Sequence, residues 1–189
     1  NSIFASHGSG WLAYLSRAFR LMHLPIGVFG VAISTAALPN LAKLVVRGDF
    51  AGYRRSFSHA LALNIVLALP ASIGLFVLAE PICRLIFEWG KTTPFDTVQT
   101  ARALIFFSFG LCGFSAVKIA TDGFYALNNT GTPVKVSFFT VAINIVLNYV
   151  FIFRLKFDHA SLALSTSLTT TLNFLFLLVL LSRKIEGLR

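Results

Sequence analysis

The sequence predicts an all-α, polytopic transmembrane helix bundle, with five full spans, the tail of a sixth helix and one short interfacial helix. Three observations predict it. Of the 189 residues, 56% are hydrophobic and only 12% charged, where a soluble domain carries roughly 25% charged residues. The mean hydropathy is +0.78. The apolar residues also gather into stretches long enough to cross a hydrocarbon core, which takes about 20 residues rising ~1.5 Å each through ~30 Å.

The elements follow in chain order. Residues 1–10, NSIFASHGSG, read as the tail of a preceding helix, so the expectation is a piece of a longer protein. Spans are expected at 11–39, 56–79, 99–121, 133–153 and 160–182. Residues 80–90, EPICRLIFEWG, are too short to span. Within them Ile82, Leu85, Ile86 and Trp89 recur at i, i+3, i+4 and i+7, which predicts an amphipathic helix lying in the interface. Pro81 would start it and Gly90 would stop it.

The net charge of +9 is distributed as loops of a membrane protein distribute it. No basic cluster with interleaved aromatics occurs outside the apolar segments, which argues against nucleic acid as a partner. Lys43, Arg47, Arg54, Arg55, Lys118, Lys135, Arg183, Lys184 and Arg189 fall on one side, against Arg84, Lys91, Arg102, Arg154 and Lys156 on the other. The richer side is expected to be cytoplasmic, together with the C-terminal end. Cys83 and Cys112 have no metal-type spacing, and His7, His23, His59 and His159 form no ligand set.

Polar residues inside the spans recur at helical spacing. In the first span Ala13, Ser16, Arg20, His23, Gly27, Gly30, Ser34 and Ala37 alternate at three and four residues and so share one face, while Phe19, Leu21, Ile26, Val28, Phe29 and Ile33 occupy the others. Ser108, Cys112, Ser115 and Asp122 stack in the third span, with Lys118 one turn before Asp122. Ser137, Thr140, Asn144 and Asn148 share a face of the fourth, and Ser161, Ser165, Thr169 and Asn173 share one of the fifth. Such faces meet neighbouring helices or line a water-filled cavity; periodicity alone does not separate the two.

Arg20 is the candidate with chemistry. A charge near the centre of a span costs about 2.5–3.5 kcal/mol on insertion scales, so it faces a cavity or snorkels to the headgroups. A guanidinium suits bidentate recognition of phosphate, which points to an anionic, phosphate-bearing cargo. Arg17, His23 and Lys118 are further candidates for lining or gating. Pro25, with Gly27 and Gly30 close by, predicts a bend in the cavity wall that Ser34 continues. No nucleophile–base pair, P-loop or paired carboxylates appear, so translocation is favoured over catalysis. A membrane scaffold, whose stripes only pack helices, is the alternative of a different class.

Three stretches carry a resemblance: RLMHLPIGVFGVAISTAALPNLAK, FEWGKTTPFDTVQTARAL and KIATDGFYALNNTGTPVK. They are similar to the RLxxxPxGxxGxAxxTxxLPxLxK, FxxGKxTxFD and KxxxxGFYA…TPVK patterns of the MurJ (MviN) family of lipid II flippases, within the superfamily of multidrug and polysaccharide exporters. The resemblance implies two six-helix lobes facing each other across a cavity, with residues 1–189 forming most of the second lobe and the first lobe absent. It implies transport of lipid II, the undecaprenyl-pyrophosphate-linked peptidoglycan precursor, across the bacterial inner membrane by alternating access, with membrane lipids as surroundings and no covalent cofactor. Arg20 falls where the family places a cavity arginine. Many relatives carry acidic residues at the positions of Phe19 and His23, so a local neutralising partner for Arg20 is missing here. Some relatives bind sodium in this lobe; Asn144 and Asn148 have the one-turn spacing but neither is a carboxylate, which makes them weak sodium candidates. Another exporter of the superfamily is the alternative within the transporter class.

Overall fold

The computed structural model describes residues 10–88, 93–151 and 160–186. The expected helix tail over residues 1–9, and Trp89, Gly90, Lys91, Arg154, Lys156, His159 and Arg189, lie outside the described residues. Helix α1 runs Trp11–Pro25, continues through a π-helical segment Ile26–Val31, and becomes α2, Ala32–Val46. There follow α3 (Phe50–Val77), α4 (Ala79–Phe87), α5 (Pro94–Ala126), α6 (Gly131–Tyr149) and α7 (Ala160–Glu186). Five helical stretches are long and apolar enough to cross a membrane, counting α1 to α2 as one.

Local chemistry sets the helix ends. α2 stops at Gly48, whose φ of +71° is the left-handed conformation that glycine adopts without a Cβ penalty. Asp49 then caps α3, its carboxylate accepting from the Gly52 N–H at 2.7 Å. Thr93 and Asp96 form a reciprocal capping box at the start of α5, with Pro94 in the first turn where its missing N–H leaves no bond unmade. These caps make α2, α3 and α5 longer than the hydropathy spans. α4 begins at Ala79, before Pro81, and its helix ends at Phe87. It packs by Ala79 and Cys83, while Leu85 and Ile86 stay exposed as an interfacial helix requires. Burial pushes the Cys83 thiol up to about 11, which keeps it protonated and unreactive.

Helix α5 is the hub. It packs against α7, α3, α1, α2 and α4, whereas α6 lies outside and leans on α7. Paired contacts show the directions. Gly30 opposes Ser115 and Ser34 meets Asp122, so the first span runs parallel to α5. The Tyr53 hydroxyl donates to Gly123 O and the Ser72 hydroxyl to Ser108 O, so α3 runs antiparallel. Up-down alternation therefore brings the end of α2, the starts of α3 and α6 and the ends of α5 and α7 to one face of the bundle. That face holds Lys43, Arg47, Arg54, Arg55, Lys135, Arg183 and Lys184, while Arg84 and Arg102 lie toward the other.

Two apolar clusters form the core. One gathers Leu15, Met22, Ala68, Leu104 and Phe107; the other gathers Leu41, Tyr53, Phe57, Phe124 and Leu181. Between them lies a waist of small and polar residues, including Gly30, Asn64, Gly110, Ser115 and Ser167. Its hydroxyls are tolerated because they bond to carbonyls: Ser115 to Leu111 O at 3.1 Å, and Ser167 across the interface to Phe106 O at 2.8 Å. Asn64 is 0% exposed and its amide finds no partner among the described residues.

Close approach of α5 to α7 depends on Gly110, where a Cβ would sit 2.7 Å from the Ser167 Cβ. Gly110→Ala is expected to cost about 1–3 kcal/mol through overpacking. Gly27→Ala, at a position with nothing within 4 Å, serves as the control. A detergent melt in which the two substitutions behave alike would contradict this packing.

Candidate functional site

The face of α1 left uncovered by the rest of the bundle carries Ala13, Ser16, Arg20, His23 and Gly27, all exposed. Arg20 makes no hydrogen bond or ion pair with any described residue. His23 lies against Phe19, with ring centroids 4.1 Å apart, and reaches Phe114 at 6.4 Å. The guanidinium of Arg20 thus projects from a helix that needs nothing from it for packing. Its neighbours on that face are an imidazole, a serine hydroxyl and glycine, none of which offers negative charge.

The expected stripe does not stay on one face. Gly30 and Ser34 are buried against α5, where Gly30 faces Ser115 and the Ser34 hydroxyl donates to Asp122. The reason is the π-helical segment. Pro25 has no N–H for the carbonyl four residues before it, and the chain answers by widening into i→i+5 turns over Ile26–Val31 rather than breaking. Each wide turn takes up an extra residue, so positions in register before the segment are rotated after it. The bend expected at Pro25, Gly27 and Gly30 takes the form of this segment. Gly30 and Ser34 do not continue an open wall.

The other candidates are held by protein partners. Arg17 sits over the Phe87 ring of α4, 5.6 Å from its centroid. Beside it the Tyr14 hydroxyl donates to Asp96 at 2.6 Å, tying α1 to the capped start of α5. The Lys118 Nζ donates to Asp122 Oδ1 at 3.3 Å; its side chain is 43% exposed and that of Asp122 5%. Ser34, Asp122 and Lys118 thus form a polar link between α2 and α5 inside the span. The Asp122 carboxylate, not Lys118, is its centre; the one-turn spacing to Lys118 is visible in the sequence, whereas the bond from Ser34, 88 residues away, is not.

The stripes of α6 and α7 pack on each other. Asn144 Nδ2 donates to Thr169 Oγ1 at 3.3 Å, Asn148 Nδ2 donates to Asn144 Oδ1 at 3.1 Å, and the Ser165 hydroxyl donates to Asn148 Oδ1. The two asparagines therefore bond within the protein and supply no carboxylate that would bind a cation strongly. No group of three or more His, Cys, Asp or Glu able to hold a metal occurs among the described residues. A shallow groove of about 200 Å³ beside them is lined by Ser137, Thr140, Asn144, Thr166 and Asn173.

An α-helical bundle built from apolar spans, with an uncovered arginine face on one of them, defines a polytopic integral membrane protein. A family model described as "Lipid II flippase MurJ" matches residues 1–189, and the chain belongs to that family. It is 40% identical over 186 residues to "Probable lipid II flippase MurJ" of Buchnera aphidicola subsp. Acyrthosiphon pisum (strain APS), covering 98% of this chain and 35% of that protein. It is 34% identical over 177 residues to "Lipid II flippase MurJ" of Burkholderia cenocepacia, covering 94% of this chain and 34% of that protein. A solved structure, "Lipid II flippase MurJ, inward closed conformation", is similar at a TM-score of 0.83 and 28% identity, over 95% of this chain and 38% of that one. The chain spans about a third of the length of the curated relatives it matches.

Proposed function

We propose that the intact gene product flips lipid II from the cytoplasmic to the outer leaflet of the bacterial inner membrane. This chain supplies most of one lobe of the transporter, and a facing lobe completes the cavity. The observation that carries the reading is Arg20, exposed on α1, free of any carboxylate partner among the described residues and unused in packing. A guanidinium in that state is suited to a bidentate grip on a pyrophosphate oxygen pair. Alternating access would move the α1 face between the two sides, with the charge engaged to cargo rather than to protein. The basic end of the bundle, which includes the end of α7, faces the cytoplasm in this reading. No sodium requirement is part of it.

The test is rescue. Bacteria depleted of their own lipid II flippase accumulate lipid II in the inner leaflet. Expression of the intact gene product is expected to restore growth and clear that accumulation. A well-expressed, membrane-inserted product that leaves lipid II at the depleted level would refute the proposal and favour another exporter or a scaffold.

A further inference from the structure

At the basic end of the bundle a groove of about 180 Å³ opens between the first turns of α3 and the last turns of α7. Its floor is apolar, made by the buried side chains of Phe57, Leu181 and Ile185. Its mouth is polar, made by the exposed Arg54, Ser58 and Ser182. We propose that this groove binds an anionic phospholipid of the surrounding leaflet, with an acyl chain on the floor and the head-group phosphate at Arg54.

Two arguments select this occupant. The first is charge. α3 carries Arg54 and Arg55 within its first two turns and no acidic residue in its first turn. A helix N-terminus is its positive end, where cations are unfavourable and anions are stabilised. The nearby Asp49 carboxylate is occupied in capping the helix at Gly52. Arg54 pairs with no described carboxylate, and α7 brings Arg183 and Lys184 to the same end of the bundle. The second is layout. Leu61 and Leu178 line the groove on the side of the span interior and Arg54 stands on the side of the helix ends, which is the arrangement of a lipid's tail and phosphate. Ser58, one turn further along α3, supplies a hydroxyl donor, whereas the Ser182 hydroxyl already donates to Val179 O at 2.9 Å. The site lies on different helices from the Arg20 face and does not depend on what that face carries.

The experiment uses the intact gene product in mild detergent, titrated with phosphatidylglycerol or phosphatidylcholine of matched acyl chains and read by native mass spectrometry. Phosphatidylglycerol is expected to be retained on the order of fivefold more tightly, as about one surface cation contributes. Arg54→Gln should remove that preference while leaving the weaker, charge-independent binding in place. Leu178→Trp, which fills the groove and keeps every charge, should reduce retention of both lipids. Inorganic phosphate at millimolar concentration should not displace the lipid, since it lacks the tail. Equal retention of the two lipids, or an unchanged preference in Arg54→Gln, overturns the proposal. So does unchanged retention in Leu178→Trp, displacement by phosphate alone, or cross-linking of a Ser182→Cys variant to another stretch of polypeptide seated in the groove.

Discussion

Replacing Arg20 with alanine is expected to leave the protein folded and inserted but to abolish rescue of flippase-depleted cells. The two halves of that expectation come from the same geometry. Arg20 is exposed and contributes no hydrogen bond or ion pair to the described structure, so its loss removes no packing. Surface substitutions of that kind usually stay within about 0.5 kcal/mol in stability. A charge-assisted hydrogen bond to an anionic cargo is worth about 1.5–3 kcal/mol, so its loss weakens binding on the order of tenfold to a hundredfold. Lysine at the same position keeps the charge but not the planar fork and should rescue only in part. The measurement is growth and lipid II level at matched membrane expression. Full rescue by the alanine variant would remove Arg20 from the mechanism.

Asp122 should behave in the opposite way, as a residue whose loss is felt first in stability. Its carboxylate, 4% exposed, accepts from Ser34 of α2 and from Lys118 one turn earlier on α5. Asp122→Leu strands the Ser34 hydroxyl, itself 1% exposed, and a buried unsatisfied donor costs about 1–3 kcal/mol. The ion pair adds little to this, because the half-exposed lysine is screened and can turn to solvent. Asp122→Asn keeps an acceptor for Ser34 and should lose much less. Pairing Asp122→Leu with Ser34→Ala should recover part of the loss, because the stranded group is then gone. The test is a detergent melt of the four proteins. If leucine and asparagine destabilise equally, the link between α2 and α5 is not what holds this end of the first span.

Hydropathy located the spans, and the helices run past them for an identifiable reason. The first was expected to stop at 39, yet α2 runs to Val46 through Pro39; the third was expected from 99, yet α5 starts at Pro94. Apolar content measures what lies in hydrocarbon, whereas helix termini are set by caps, here Gly48, Asp49 and the Thr93–Asp96 box. Those residues are legible in the sequence and account for the helix ends. The tie from Tyr14 to Asp96 was not legible, because 82 residues separate its partners.

The sequence by itself determined that the chain is a membrane bundle, how many spans it has, which polar residues recur on a common face of each, and that Arg20 is a charge in need of a partner. These follow from composition and from a period of about 3.6 residues, which are local properties. Only the tertiary structure decided what each face meets. It joined the stripes of α6 and α7 through hydrogen bonds while leaving Ser137 exposed beside a shallow groove, placed Arg17 over Phe87 and Lys118 on Asp122, and left Arg20 and His23 uncovered. It also turned Gly30 and Ser34 away from Arg20 onto α5, because the π-helical segment after Pro25 breaks the period that had placed them together. Periodicity assigns a residue to a side of its own helix; whether that side is core or opening depends on the neighbours that pack there.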